Sequence, residues 1–376
     1  MNLFFSFFRL GLTAFGGPAM VAHIRALSID RHRWLDEEEF KNGLALCQSI
    51  PGATAMQMAA YVGLKTRGIS GALSTYVGFG FPSFIIMLIF SCLYARFHNV
   101  SRLIPLFDGL QVIVIAIIFS AVYTFGRNVI TNAKSIIIAL LSAFLFWWGI
   151  SPFIVIILAG MTGVILYKKV KIGRSVKTEL QSSTKRGVFI CFSLFFLSLA
   201  GLYFFNHGIF ELAKVMLKID LFAFGGGFAS LPLMLHEIVI SRGWLDSKTF
   251  MDGLALGQIT PGPIVITATI VGYLLYGLLG AFVATVAIFT PSFLVLITIE
   301  PLYDRLKNSA YFMKAVDGIV ASFVGLLLFA GFQFAMSVSW DIVRMLFGLA
   351  ALTALICKID ILYVVLAGAV ISIFLL

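Results

Sequence analysis

Helix-breaking residues stand at four places inside the apolar segments of this chain, and they form two matched pairs. Phe-Gly-Gly-Pro at 15–18 recurs as Phe-Gly-Gly-Gly at 224–227, and Gln-Ser-Ile-Pro-Gly at 48–52 recurs as Gln-Ile-Thr-Pro-Gly at 258–262. Glycine and proline interrupt helical hydrogen bonding. The amides freed at the start of the next half-helix carry partial positive charge. Because unpaired backbone in lipid must be buried or line a watery cavity, these breaks predict an anion site near the bilayer midplane.

Polar side chains near the breaks supply further donors. Gln48 and Gln258 stand three residues before a proline, where each amide can donate two hydrogen bonds to an oxyanion or bond a neighbouring helix instead. His23 and Arg25 follow the first break, and a guanidinium suits oxyanions, although Arg25 could also snorkel to the interface. The predicted substrate-binding residues are Gly16, Gly17, Pro18, His23, Arg25, Gln48, Pro51, Gly52, Gly225, Gly226, Gly227, Gln258, Thr260, Pro261, Gly262 and Pro263.

Other residue patterns predict little chemistry. Glu237, at the end of a broken apolar segment, is a candidate for coupling protons, or it caps the boundary beside His236. The five histidines and four cysteines form no ligand cluster, and the sequence contains no Gly-x-Ser-x-Gly, HExxH or Walker motif. We therefore expect no catalytic residues, no metal, no cofactor and no enzyme.

The composition places these residues in a membrane. Hydrophobic residues make up 60% of the chain and charged residues 12%, which excludes a soluble domain of this length. The apolar runs are too long for the strands of a barrel. The net charge of +10 is concentrated in seven basic residues between Lys168 and Arg186, as in a cytoplasmic loop under the positive-inside rule, so we expect no nucleic-acid partner.

The two halves repeat one pattern of segments. Matching glycines, prolines and aromatic residues continue about 209 positions apart, and the apolar segments number six, one and six. We expect an all-α polytopic membrane protein with two inverted homologous repeats and broken helices, a pattern typical of secondary transporters. The predicted divisions are a first repeat at 1–167, a basic cytoplasmic loop at 168–187, a linking transmembrane helix at 188–206 and a second, inverted repeat at 207–376.

The single linking helix sets the orientation. If every apolar segment crosses the membrane, the basic residues of both halves obey the positive-inside rule only when the halves are antiparallel. The result is the same if the first two segments of each half are re-entrant. We expect a plasma (inner) membrane protein with its N-terminus and basic loop in the cytoplasm and its C-terminus on the opposite side.

The motifs resemble those of the CHR family of chromate ion transporters over nearly the whole chain. The resemblance is carried by 15–18 with His23, by Gln48 with Pro51-Gly52, and by 224–227, Glu237 and the Gln-Ile-Thr-Pro-Gly-Pro string at 258–263. One departure is Ala53, where the family often has a second proline.

This resemblance implies chromate efflux that confers resistance, with sulfate as a chemical relative. Moving an anion out of a negative-inside cell gains about 2.3 kcal/mol per charge per 100 mV, so ATP is not needed. Two alternatives stay open at this point: an importer or exchanger for sulfate or another anion, and an anion channel or a membrane protein without flux. The expected partners are a chromate- or sulfate-like oxyanion and the lipid bilayer, with the chain acting as a monomer or homodimer.

Overall fold

A computed structural model describes residues 3–15, 17–98, 100, 104–167 and 182–375 of the chain. Every regular element in these ranges is helical, and five stretches are long and apolar enough to cross a membrane: Thr54–Phe97, Ile104–Val129, Arg186–Phe205, Ile264–Lys307 and Ala310–Met336. The predicted all-α, multi-pass class with interrupted helices is confirmed. Most of the predicted basic loop, 168–181, lies outside the described residues.

The first broken segment folds back on itself. Helix α1 (Leu3–Thr13) ends before the Gly-Gly-Pro break, and α2 (Gly17–Arg25) continues into a π-helical turn, Ala26–Arg31. The ring of Trp34, beyond that turn, stacks on Phe7 of α1 with centroids 6.1 Å apart. The two arms are therefore antiparallel, and the segment forms a hairpin.

The second broken segment is also a hairpin. Helix α3 (Glu37–Ser49) begins at a capping box between Asp36 and Glu39, and α4 (Thr54–Phe97) follows the Pro-Gly break. The Tyr61 ring lies against Gly43, and its hydroxyl donates to the Glu39 carbonyl at 3.3 Å. The first arm of α4 therefore runs back along α3.

A sharp reversal then divides α4 into two arms. Arg67 and Gly68 have non-helical backbone angles, with φ of +63° at the glycine. Gly63 and Gly71 touch across the reversal, so closely that a Cβ on either would overlap the backbone of the other. The short arm, 54–66, thus ends at a membrane face, and the long arm, 69–97, crosses the molecule.

The second half repeats this sequence of hairpins. Lys218 and Glu237, on opposite sides of its first break, are paired at 2.8 Å, and α12 reverses at Tyr276 and Gly277 as α4 does. The remaining helices are α5 (Ile104–Val129), α6 (Ala133–Trp147), α7 (Pro152–Leu166), α8 (Ser182–Phe205), α9 (His207–Phe222), α10 (Ser230–Met234), α11 (Ser247–Ile259), α12 (Thr267–Ile299), α13 (Tyr303–Lys307), α14 (Ala310–Met336), α15 (Ile342–Ile356) and α16 (Ile361–Leu375).

The halves exchange their last two helices. α6 and α7 form a short hairpin that packs on α14 of the second half, while α15 and α16 pack on α5 of the first. Gly163 and Gly318 bring α7 and α14 into backbone contact, and Gly325 lies against the Ala139 carbonyl of α6. Small residues at such crossings allow close helix packing in lipid. At 15 residues, or about 22 Å, each of these exchanged helices is too short for a full bilayer crossing.

Helix α8 stands apart from this packing. It touches α9, α12 and α4, yet none of residues 186–205 is buried. Its exposed side chains are large and apolar, including Phe189, Leu197 and Phe204. This surface suits lipid contact, so α8 joins the halves from the periphery.

Candidate functional site

The four hairpin tips, defined as 14–15, 50–53, 223–226 and 260–263, meet in reciprocal pairs. Gly52 donates its backbone N–H to the Ala223 carbonyl at 2.9 Å, and Gly262 donates to the Ala14 carbonyl at 3.0 Å. Each Pro-Gly tip therefore bonds the Gly-rich tip of the other half. Gly16 lies outside the described residues.

The two Pro-Gly tips require glycine. Gly52 has φ of +117° and Gly262 has φ of +109°, a region that other residues rarely adopt. A Cβ at Gly52 would overlap the Ser292 side chain, and one at Gly262 would overlap Ser83. Each tip thus presses on the serine of a Pro-Ser-Phe motif in the long arm of the opposite half.

The Gly-rich tip of the second half is equally constrained. Gly225 and Gly226 have φ of +98° and +94°. Gly225 lies against the Phe125 ring of α5, and Gly226 faces the Thr54 hydroxyl at the start of α4. In the first half, α2 begins at Gly17, directly before Pro18, as a proline near a helix start favours.

The glutamine amides beside the Pro-Gly tips are free. Gln48 is exposed and Gln258 half-buried, and neither side chain has a hydrogen-bond partner among the described residues. A hydrogen bond to a neighbouring helix, the alternative role of these two glutamines, is therefore absent among the described residues. Pro51, Pro261 and Pro263 are buried, and the Thr260 hydroxyl donates to the Gly257 carbonyl at 2.8 Å.

His23 and Arg25 lie away from the tips. His23 is exposed on α2, and Arg25, at the end of that helix, pairs with Glu37 and contacts Asp30 at 3.5 Å. The hydrogen bond from Arg25 lowers the pKa of Glu37. Arg25 thus ties the first hairpin to the start of α3 at the surface.

The Glu237 carboxylate is committed to two cations. Its side chain is 3% exposed, one oxygen accepts from Lys218 Nζ at 2.8 Å, and the other accepts from Arg242. Lys218 Nζ also lies 3.7 Å from the centroid of the Phe153 ring. The residue therefore sits inside an ion-pair cluster between the arms of its hairpin.

Asp220, which sequence analysis did not single out, lies beside the tips. Its side chain is buried, and Oδ2 accepts the backbone N–H of Ser292 at 2.7 Å. Pro291, directly before Ser292, stands inside α12. The Ser292 hydroxyl lies 2.9 Å from Tyr76 Oη, which donates to the Phe289 carbonyl at 2.7 Å.

Three buried polar atoms around the tips have no partner in the described part of the chain. They are Asp220 Oδ1, Ser83 Oγ and Gln57 Oε1. Gln57 donates its amide to the Pro51 carbonyl at 2.6 Å, which places the free oxygen against the Pro-Gly tip. Because buried polar atoms are normally satisfied, their grouping here marks a site with capacity for a proton, water or ligand.

A second buried acid is fully bonded and serves as a contrast. Asp252 of α11 accepts from Gln111 Nε2 and from Tyr94 Oη, each at 2.8 Å. These three residues tie α11 to α5 and to the long arm of α4. Asp252 therefore has a structural role, whereas Asp220 keeps an oxygen free.

The comparisons with known proteins place the chain among membrane transporters. The sequence profile described as "Chromate transporter" matches residues 1–164 and, again, 210–373. A protein of Methanocaldococcus jannaschii named as an uncharacterized transporter is 39% identical over 99% of this chain and 93% of its own length. Chromate transport proteins of Cupriavidus metallidurans and Pseudomonas aeruginosa are 29% and 28% identical, covering 85% and 87% of this chain and 78% and 79% of their own.

No solved structure matches the chain. The sequence relationships nevertheless extend over both sets of hairpins and over all four tips. They also establish that its relatives are membrane transporters rather than enzymes. On this evidence, the chain belongs to the chromate transporter family.

Proposed function

We propose that this protein is a secondary transporter that exports chromate, and related tetrahedral oxyanions such as sulfate, by holding the anion at the hairpin tips. The reciprocal contacts of these tips carry the proposal, because they concentrate interrupted backbone at one buried place. Helical segments begin just after the tips: α2 at 17, α4 at 54, and 3-10 turns at 227 and 264 that lead into α10 and α12. Relatives named for chromate transport supply the substrate class.

The free glutamine amides support an anion at this place. Gln48 and Gln258 flank the two Pro-Gly tips, and each has donors that no described residue uses. An oxyanion between the tips would accept from these amides and from the backbone amides at the helix starts. The anion would thus be bound without a neighbouring cation. Its affinity would then be low enough to allow its release.

Ion pairs between the halves support an antiparallel arrangement. Lys65, beside the start of the long arm of α4, pairs with Glu300, at the end of the equivalent arm of α12. Asp108, at the start of α5, pairs at 2.7 Å with Arg344, which follows the equivalent helix α14. In both pairs the start of one element meets the end of its counterpart, which is the contact expected of repeats that run in opposite directions.

The re-entrant hairpins change the count of basic residues. The first re-entrant hairpin places residues 25–41 on the same membrane face as the start of α1. A segment that crossed the membrane would place these residues on the opposite face. That face then also carries Lys65, Arg67 and the ends of the basic stretch. We infer that it is cytoplasmic, and outward movement of a dianion from it runs down the membrane potential.

Asp220 is our candidate for proton coupling, alongside the predicted role of Glu237. Its free Oδ1 can take up a proton without loss of the bond from Ser292 to Oδ2. Glu237 would first have to give up its bonds to Lys218 and Arg242. Coupling through Asp220 would act directly on the contact between α9 and α12, next to the tips.

Flux in oriented vesicles tests the function. Inside-out and right-side-out vesicles are loaded with radiolabelled chromate or sulfate, with and without a pH gradient. Saturable chromate movement in the outward sense supports export. Inward sulfate movement or sulfate–anion exchange would instead favour the importer, non-saturable flux would favour a channel, and no flux of either anion would overturn the transporter proposal.

A further inference from the structure

A basic groove lies between the two arms of the first hairpin. It has a volume of about 350 Å³ and opens between α1 and the π-helical turn. Arg9, Arg31 and His32 supply its charged and titratable groups. Its other lining residues are Phe5, Ser6, Leu10, Thr13 and Leu27.

The basic groups of this groove are not neutralised. Neither arginine is paired with a carboxylate among the described residues, and His32 Nε2 is buried without a hydrogen-bond partner there. Burial and the charge of Arg31 lower the pKa of His32. The imidazole also stacks on Trp34, with centroids 4.5 Å apart. Two unpaired cations are therefore held beside a free ring nitrogen.

The second half shows what such a cluster looks like when an anion is present. The repeat places Lys218 where the first half has Arg9, and Arg242 where it has His32. Both second-half cations bind the carboxylate of Glu237. The carboxylate thus lies between the two arms of its hairpin, in the position that corresponds to the groove.

The counterpart of Glu237 is Leu27, and the backbone fixes this register. The backbone N–H of Trp34 donates to the Ser28 carbonyl at 2.7 Å. The backbone N–H of Trp244 donates to the Ile238 carbonyl at 2.8 Å, with the same spacing of six residues in each half. The residue before each acceptor is Leu27 in one half and Glu237 in the other. The first half therefore keeps one of the two cations as Arg9, has His32 in place of the other, adds Arg31 where the second half has Ser241, and lacks the built-in carboxylate.

We propose that this groove is a separate binding site for a tetrahedral oxyanion, which takes the place between Arg9, Arg31 and His32 that Glu237 fills in the second half. The guanidinium groups would donate charge-assisted hydrogen bonds. Ser6 and Thr13 add hydroxyls along the groove. Thr13, which lines the groove, directly precedes the first hairpin tip, so the groove lies next to that tip.

Two sources share this chemistry: a free inorganic oxyanion and the phosphate of an anionic lipid. Anion binding at this site is measured on purified protein, independently of flux. A lack of binding would leave the transport proposal standing, and a lack of flux would leave the binding site standing. Trp34 reports directly, because an anion at His32 alters the ring on which it stacks. Delipidated protein in neutral detergent is titrated with sodium sulfate, with tryptophan fluorescence as readout and Trp34→Phe as the spectroscopic control.

Leu27→Glu is the decisive variant. It supplies the carboxylate that the second half already contains, so it should fold normally and weaken sulfate binding at least about tenfold. Leu27→Gln is the matched control, because glutamine has the shape of glutamate without its charge, and this variant should retain binding. Arg9→Gln should also weaken binding, and it serves if Leu27→Glu does not elute as a single folded species.

Native mass spectrometry with added phosphatidylglycerol separates the two sources. Saturable sulfate binding that Leu27→Glu abolishes and Leu27→Gln spares identifies a free oxyanion site. Retained phosphatidylglycerol, lost in Leu27→Glu alone, identifies the same site with a lipid phosphate as its ligand. If neither ligand binds, or if both bind equally to the wild type, Leu27→Glu and Arg9→Gln, the proposal is overturned.

Discussion

The backbone N–H of Ser292 donates to the carboxylate of Asp220 at 2.7 Å, and this bond joins α9 to the long arm of α12 beside the hairpin tips. The first half has Gly11 at the position of Asp220, and there α1 lies directly against the Phe79 carbonyl of α4. At this position one half is held by a hydrogen bond to a carboxylate, and the other by direct backbone contact.

Replacing this acid should uncouple transport from the proton gradient. Asp220→Asn keeps an acceptor for Ser292 but cannot titrate, so we expect flux that continues and no longer responds to an imposed pH gradient. Vesicle uptake with and without the gradient measures this. Asp252→Asn is the control, because Asp252 is bonded through both oxygens; its loss should lower thermal stability and leave the response to pH intact.

The Pro-Gly tips should tolerate no side chain. Gly52→Ala combines positive φ with overlap on Ser292, and we expect a loss of about 3 kcal/mol in unfolding free energy together with reduced flux. Gly149→Ala is matched for positive φ but has open space, so its cost should be about 1 kcal/mol. Thermal unfolding in detergent compares the two, and equal shifts would show that overlap at the tip is unimportant.

The paired glutamines should contribute affinity rather than stability. Gln48→Ala combined with Gln258→Ala removes donors that no described residue uses, so the melting temperature should hardly change. The apparent KM for chromate should rise at least about tenfold, because even one lost hydrogen bond to a charged oxyanion is worth about 1.5 kcal/mol or more. An unchanged KM would remove both residues from the site.

The ion-pair cluster of the second hairpin should behave as a structural unit. Glu237→Gln leaves two cations without their carboxylate, and we expect a loss of about 3 kcal/mol in unfolding free energy. Adding Lys218→Met should recover part of that loss, because fewer charges then remain unpaired. Additive losses in the double variant would argue against a direct interaction.

Sequence reasoning located the helix breaks but not their path. The glycine and proline motifs mark all four interruptions, whereas Gly68, at the reversal in α4, lies outside these motifs. Hydropathy is the same for a segment that crosses and one that returns, so the re-entrant fold could not be read from it. The contact that reveals it, Tyr61 against Gly43, depends on tertiary packing.

The positions of the candidate residues in the fold were predictable only in part. The tips and the free glutamines follow from the motifs, whereas the surface pairing of Arg25 depends on where the hairpin brings Glu37. Asp220 was detectable in principle, since it is a single acid in an apolar run and faces a glycine in the other half. Comparing the halves position by position, rather than by shared motifs, would have revealed both this residue and the exchange of Leu27 for Glu237.

The exchange of α6–α7 for α15–α16 makes each half incomplete without the other. A chain cut between α7 and α8 would yield two fragments, each with an apolar pair of helices that is buried only when the two fragments associate. The fragments should therefore be stable when they are expressed together and be degraded when either is expressed alone. Maturation must then wait until translation has delivered α14, because until that moment α6 and α7 have nowhere to dock.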